Sequence, residues 1–238
     1  MIREPGYALR VKTGAAWRRY ERVRLLISVG QPYHEGAKLK AVVEWISRNP
    51  SIREVHVSVN DFLQRHNLIA AGMPEDGAGE VALAEGALWI ARNQNTLDAI
   101  GDARLCLTRW CDWLGRADVA AARAAIDAYA TLDPQFADSI ETDAQALAER
   151  RSRRGEAVPD GLVGHSRAYV REELAVFAVQ AAALPAAEIY PGSNLAAAAY
   201  LVGKALPPAI RPLAARHFTR VDFARLAGPV RAPQPTLA

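Results

Sequence analysis

The sequence predicts an α/β fold built on a central parallel sheet. Short runs of β-branched and aliphatic residues alternate with longer stretches of helical periodicity, and turn residues mark the junctions. No internal repeat or low-complexity block breaks that alternation. The first strand is Arg22 to Val29 (RVRLLISV), followed by a helix from Gly36 to Arg48 with Leu39, Val42, Val43 and Ile46 on one stripe, stopped by Asn49-Pro50. Glu54 to Val59 (EVHVSV) alternates as a second strand, and Asp61 is placed to cap a helix from Phe62 to Ala71. Met73-Pro74-Glu75 opens a longer helix, roughly 79–100, and a third strand follows from Arg104 to Thr108. Two Ala-rich helices are expected at 117–131 and 134–150, then a charged loop at 151–164 that holds Gly155, Pro159, Gly161 and Gly164. Helix 166–184, strand 187–190 and helix 194–204 complete the pattern. Right-handed crossovers would cover both faces of the sheet, a Rossmann-like layout. Residues 1–227 are expected to form a single domain, and 228–238, with three prolines, a frayed tail.

Composition narrows the function classes. The chain has 238 residues, 50% hydrophobic and 23% charged, enough to bury a sizeable core. The longest apolar runs, 174–187 and 195–203, are too short for a membrane span, and the first is broken by Gln180 and Pro185. Met1-Ile2-Arg3-Glu4-Pro5 lacks the apolar segment of a secretory signal, so a cytoplasmic location is expected. Two cysteines, Cys106 and Cys111, exclude a disulfide scaffold or a zinc ribbon, and no metal is expected. Among 29 basic residues the lysines are Lys12, Lys38, Lys40 and Lys204; the rest are arginines, the better forks for phosphate. They cluster at Arg18, Arg19, Arg22 and Arg24, at Arg150, Arg151, Arg153 and Arg154, and at Arg211, Arg216, Arg220 and Arg225. Charge alone reads as solvated faces and only permits an RNA partner.

Ligands of such sheets sit at the carboxyl ends of the strands, which here carry Ser28, Asn60-Asp61, Arg109-Trp110 and Tyr190. No G-x-G-x-x-G follows the first strand and no G-x-x-x-x-G-K-[ST] occurs, so a dinucleotide or a P-loop triphosphate lacks its phosphate cradle. Ser28 sits in Leu26-Ile27-Ser28-Val29-Gly30, which is not a nucleophile elbow, and this disfavours a serine hydrolase. His34-Glu35-Gly36 is similar to half of the class I tRNA-synthetase nucleotide motif, but its second His is missing. Activation by ATP is not expected, nor any cofactor. What remains is the serine at the mouth of the first strand, with Tyr169 and Glu173 at i and i+4 on one helix face and Tyr190 ending a late strand.

This constellation resembles the tRNA-dependent cyclodipeptide synthases, which are similar to the catalytic domain of class Ic aminoacyl-tRNA synthetases. The matching segments are RLLISVGQPYHEGAKL (24–39), VHVSVNDFLQRHNLIAAGMPED (55–76), GALWIARN (86–93), RWCDWL (109–114), YVREELAVF (169–177) and IYPGS (189–193), in family order. The resemblance implies that Ser28 takes an aminoacyl group from one charged tRNA and that Tyr169 and Glu173 hold its α-amino group. It also implies that Glu173 moves a proton when the second aminoacyl group arrives, and that Tyr190 helps the dipeptidyl ester close into a 2,5-diketopiperazine. Gln31 with Tyr190-Pro191 resembles the branch that carries a variable residue with Tyr-Pro (XYP), and Leu26, Gln31 and Pro191 become candidate substrate contacts. Leu26, Arg22 and Ala175 depart from the other branch, which has Gly, His and Pro there. The helix at 79–100 has Arg92 as its one basic residue, so tRNA contacts are sought at Arg18, Arg19 and the 150–154 arginines. The implied partners are two aminoacyl-tRNAs, with no DNA and no membrane, acting on a monomer.

The chemistry is self-consistent. An aminoacyl ester is already activated, so attack by a serine is transesterification. An attacking amine must be neutral, and a carboxylate within reach can take its proton. Taken alone, Ser28 is a small residue ending a strand, Glu173 a surface carboxylate answered by Arg167 or Arg171, and Tyr190 a core tyrosine. The resemblance reverses that weighting. A non-catalytic RNA-binding module using the same arginines is the alternative. His34 is read as a loop residue and His66 as a helix residue, neither in the chemistry. Trp110 and Trp113 are read as core or pocket wall.

Overall fold

The computed structural model describes residues 6–12 and 16–226. Six strands form one sheet: β1 (Tyr7–Val11), β2 (Arg22–Ile27), β3 (Glu54–Val59), β4 (Arg104–Arg109), β5 (Ala187–Tyr190) and β6 (His217–Arg225), in the order β1-β6-β5-β2-β3-β4. Eight helices accompany them: α1 (Gly36–Ser47), α2 (Arg65–Ala70), α3 (Glu75–Leu97), α4 (Cys111–Leu114), α5 (Ala117–Leu132), α6 (Pro134–Arg153), α7 (Leu162–Ala183) and α8 (Ala196–Leu201). The expected α/β architecture is present. All pairings from β6 to β4 are parallel, the expected central parallel sheet, and β1, which the sequence reading did not foresee, adds antiparallel to β6 at the edge. An antiparallel edge suits a short strand that is only half covered, as β1 is.

Alternation along the central strands decides which side chains meet which layer. Val23, Leu25 and Ile27 of β2 and Val55, Val57 and Val59 of β3 pack with α1 and α3 residues such as Leu39, Val43 and Trp89. The intervening Arg24, Leu26 and Ser28 face the other layer, where α5, α6, α8 and the 3-10 segment Pro208–Ala215 pack around α7. α7 carries an unbroken buried run from Glu172 to Gln180, so it is the central helix of that layer.

Several boundaries differ from the sequence expectation. α6 continues to Arg153 and α7 starts at Leu162, so the loop is shorter than 151–164, and Arg150, Arg151 and Arg153 are helical. Arginines tolerate a solvated last turn, where they also oppose the helix dipole. α3 begins at Glu75, with Glu75 and Asp76 in its first turn, and α8 is trimmed to six residues. Asp61 accepts from the Phe62 amide at 2.8 Å, as expected of a cap. The tail from 228 lies outside the described residues. No helix among the described residues is long and apolar enough to cross a membrane.

Candidate active site

The chain leaves β2 toward β3 on one side, while β5 pairs on the other side of β2. The carboxyl ends of β2 and β5 therefore flank a topological switch point, where a crevice opens. Ser28 follows β2 on the α7 side and is partly accessible. Its amide donates to His34 Nδ1 at 2.9 Å, and its carbonyl accepts from the Gln31 amide at 3.2 Å. Gly30, at φ 82°, makes the left-handed turn between them. His34 lies in the 3-10 segment Pro32–His34 rather than in an open loop, and burial pushes it down to about 4. It is thus neutral at pH 7 and able to accept.

The Ser28 hydroxyl lies 3.2 Å from the Tyr190 hydroxyl, which lies 3.0 Å from that of Tyr33. Burial, and Tyr190 beside it, push the Tyr33 phenol upward, so it stays protonated. The ring of Tyr190 is fixed by Tyr33 edge-on at 5.9 Å and by His34 at 5.6 Å. Gly192 completes the support: a methyl at that position would collide with Cε1 of Tyr190, so only glycine leaves room for this ring orientation.

From α7, Tyr169 and Glu173 line the same cavity, of about 700 Å³, with Ser28, Leu26, Gln31 and Tyr190. Glu173 is 9% exposed. Its expected arginine partners are engaged elsewhere: Arg167 bonds Glu141 at 2.7 Å and Arg171 lies 3.5 Å from Asp127. Its carboxyl makes no hydrogen bond or ion pair among the described residues. Burial raises it to about 8, opposed by Arg216 and reinforced by Asp143, Glu188 and Glu172. Tyr169 is pushed up by burial and by the Glu173 charge, with Gln64 against its hydroxyl. The arrangement joins a nucleophile-sized hydroxyl to a carboxyl that titrates near neutrality.

Other expected contacts divide. Arg150 and Arg154 line the cavity, Arg154 paired with Glu156 at 2.7 Å, whereas Arg151 bonds the Ala157 carbonyl at 2.9 Å and Arg153 lies 3.5 Å from Glu149. Arg18 and Arg19 sit in the 3-10 segment Ala16–Arg19 ahead of β2, at the amino end of the sheet and away from the cavity. Pro191 does not line the cavity; it borders a shallow depression with Tyr7, Tyr33 and Lys38, because Tyr190 points inward and its successor outward. Trp110 and Trp113 are buried and Cys106 and Cys111 are free thiols. No metal-holding cluster of His, Cys, Asp or Glu exists among the described residues. Sequence reasoning missed Tyr33, His34, Gln64, Asp143 and Arg216. Tyr33 and His34 stood inside the QPYHEG stretch and could have been tested as its inward-facing pair; Arg216 carried no local signal.

The sequence model of the cyclodipeptide synthase family matches residues 10–188, more than half of the chain. No curated protein matches significantly. Among solved structures, a CDPS from Fluoribacter dumoffii superposes at TM-score 0.79 with 20% identity, covering 92% of this chain and 100% of that one. A Mycobacterium tuberculosis protein whose structure relates cyclodipeptide synthetases to type I tRNA synthetases gives TM-score 0.69 at 16% identity, over 92% and 94%. The cyclodipeptide synthase from Candidatus Glomeribacter gigasporarum bound to Phe-tRNAPhe gives 0.61 at 19% identity, over 90% and 91%. With the family model running from the end of β1 into the first residues of β5, the chain belongs to the cyclodipeptide synthase family.

Proposed function

We propose that this protein joins two aminoacyl groups, drawn in turn from two aminoacyl-tRNAs, into a 2,5-diketopiperazine by a ping-pong route through Ser28. The observation that carries this reading is one cavity in which the Ser28 hydroxyl meets Tyr190 while Tyr169 and the unpaired Glu173 stand across from it. In the first step Ser28 Oγ attacks the ester carbonyl, the bond to the tRNA ribose oxygen breaks, and that oxygen leaves with the serine proton. The α-ammonium of the aminoacyl-Ser28 ester, held by Tyr169 and Glu173, then gives a proton to Glu173. The freed amine attacks the second aminoacyl-tRNA ester: the amide bond forms, the ester C–O bond breaks, and the second N–H proton leaves with the tRNA ribose oxygen. Glu173 passes the first proton to solvent and then takes one from the new terminal ammonium. The terminal amine of dipeptidyl-Ser28 finally attacks the serine ester. The ring closes, the C–Oγ bond breaks, and Ser28 regains its proton with Tyr190 at hand. Both esters arrive activated, so no ATP and no cofactor enter the balance.

Gln31 with Tyr190-Pro191 supports assignment to the XYP branch, and Arg150 and Arg154 at the cavity wall are the phosphate contacts for the acceptor ends. The test is intact-mass analysis of the protein after incubation with labelled aminoacyl-tRNA. We expect an aminoacyl adduct on Ser28, its absence in Ser28→Ala, and cyclic dipeptide in the medium of a bacterial host expressing the protein. A folded protein that yields cyclic dipeptide undiminished as Ser28→Ala overturns the covalent route.

A further inference from the structure

A polar row crosses the buried sheet face behind the cavity. Trp113 Nε1 donates to Thr108 Oγ1 at 3.1 Å, and that hydroxyl lies 2.7 Å from His56 Nε2. Arg24 Nε donates to His56 Nδ1 at 3.2 Å, and Arg24 Nη1 reaches Glu188 Oε1 at 3.1 Å. Arg216 then closes on Glu188 with Nε, at 2.9 Å, and with Nη2. Arg24, His56 and Glu188 are at most 1% exposed and Arg216 is 8% exposed. Burial, with Arg24 next to it, pushes His56 down to about 3, so it carries no charge at neutral pH. Two guanidiniums against one carboxylate leave the row with one positive charge in excess.

Stability does not account for this row, because well-packed apolar side chains usually serve a sheet layer as well as buried ion pairs do. What distinguishes it is where it ends. Arg216 is the member that lines the cavity, on the same wall system as Glu173. Its guanidinium lies 4.2 Å over the Phe177 ring, its Nε and Nη2 are taken by Glu188, and its Nη1 makes no hydrogen bond among the described residues. The row thus presents an oriented, net positive end to a cavity that Glu173 and Asp143 line with negative charge and Arg150 and Arg154 with positive charge.

We propose that Arg216, braced by Glu188 and Arg24, is a positioning residue that keeps the Glu173 carboxylate available as the base for amine deprotonation. The inference rests on the role given to Glu173 above. The groups facing Glu173 are Tyr169 and Glu172 from its own helix, Asp143 from α6, Glu188 from β5, Tyr33 from the segment after β2, and Arg216 ahead of β6. Arg150 of α6 also lines the cavity and acts on Asp143 and Tyr33, but Arg216 is the cation that acts on Glu173, more strongly than any other charge. With it, Glu173 titrates at about 8 and a minor fraction is carboxylate at neutral pH; without it, burial and three carboxylates would shrink that fraction further and slow deprotonation of the amine.

The experiment follows the second half-reaction, from isolated aminoacyl-Ser28 protein to cyclic dipeptide on adding a second aminoacyl-tRNA, between pH 6 and 9. Arg216→Met removes the excess charge, so its acid limb should move up by about one pH unit, with the rate falling about tenfold at pH 7 and recovering at higher pH. Arg216→Lys should keep the original profile. Glu188→Gln leaves both guanidiniums uncompensated, so its limb should move down. A merely structural role cannot produce opposite shifts. Failure of the unsubstituted protein to form the Ser28 adduct would sink the functional reading itself. An adduct accompanied by coincident profiles, or by losses independent of pH, overturns the role of Arg216 alone. If Arg216→Met does not fold, the direction of the Glu188→Gln shift decides.

Discussion

Glu172 and Glu173 are neighbours on one helix, and the protein treats them in opposite ways. A step of about 100° around α7 turns Glu172 toward α2 and α4 and Glu173 toward the cavity. Glu172 receives Arg65 through both oxygens, Trp110 Nε1 at 2.8 Å and His66 at 3.3 Å. Burial alone would raise it, but the bonds from His66, Arg65 and Trp110 outweigh burial and hold it at about 2. Glu173 is about as buried yet has no donor, and it rises to about 8. Burial is therefore not what separates a carboxylate held ionised from one that titrates near neutrality. The supply of donors is. One residue holds α2 and the β4–α4 junction against α7; the other keeps its proton exchangeable.

The largest effect expected from breaking this contrast is on turnover. Glu173→Gln should lower cyclic dipeptide formation at least about 100-fold while the thermal transition is no lower than the parent's, because Gln mimics the protonated form already favoured by the site. Glu172→Gln should do the reverse. It leaves Arg65 facing a neutral amide in a half-buried site, costing about 3 kcal/mol and lowering Tm by roughly 5–10 °C, with turnover of the folded fraction within a few-fold of normal. Parallel product assays and thermal scans decide. Equal losses of turnover in both variants would erase the distinction.

A second effect separates the pair by pH. Glu173 binds its proton more tightly folded, at about 8, than unfolded, at about 4.3, so between those values the folded state holds a proton that the unfolded state has lost. Its contribution is full below the unfolded value and is lost as pH rises through about 8. Glu172 is lowered to about 2, so its contribution is present above about 4.3 and is lost as pH falls through about 2. Denaturant midpoints should show Glu173→Gln gaining on the parent as pH rises from 5 to 9. Glu172→Gln should fall furthest behind at neutral pH and converge with the parent near pH 2. Curves that stay parallel to the parent for both variants would contradict these directions.

Much of this frame is legible in the sequence. β2, β3 and β5 are apolar on one face throughout, and α7 is apolar over most of its circumference, so strand and helix periodicities stand out. β1 and β6 did not, because Arg10 on the edge strand β1 and Arg220, Asp222 and Arg225 on its neighbour β6 interrupt the apolar pattern, although Thr219, Val221 and Phe223 do alternate inward. The charged end of α6 read as loop for a related reason: arginines solvate a helix end as readily as a turn. Ser28, Tyr169, Glu173 and Tyr190 were legible through resemblance, and the fold brings all four to one cavity. Arg216 and Asp143 were not, since their nearness to Glu173 depends on how β6 and α6 pack, which no local spacing encodes. The separate fates of Glu172 and Glu173 were invisible for the same cause. The sequence shows two adjacent acids, and the donors that tell them apart lie more than 60 residues away in Trp110 and over 100 in Arg65 and His66.

The smallest prediction sharpens the contrast by removing one donor instead of the acid. Trp110 is fully buried, packs edge-on against Phe177 at 6.4 Å, and spends its indole N–H on Glu172. Trp110→Phe keeps most of the ring and deletes that bond. With Arg65 and His66 still bonded, Glu172 remains ionised at neutral pH, so the loss should be that of one charge-assisted bond, about 1.5–2 kcal/mol, together with a modest packing defect. The acid limb of stability should move upward from its low value, because one of the groups holding the carboxylate has gone. Glu173 should not respond, since Trp110 is not among the groups acting on it, and the pH profile of product formation should therefore match the parent. Equilibrium unfolding at pH 3 and pH 7, set beside that profile, separates the two carboxyls: a shifted product profile would mean that they behave as one coupled unit, and that donor supply on one wall does govern the reactivity of the other.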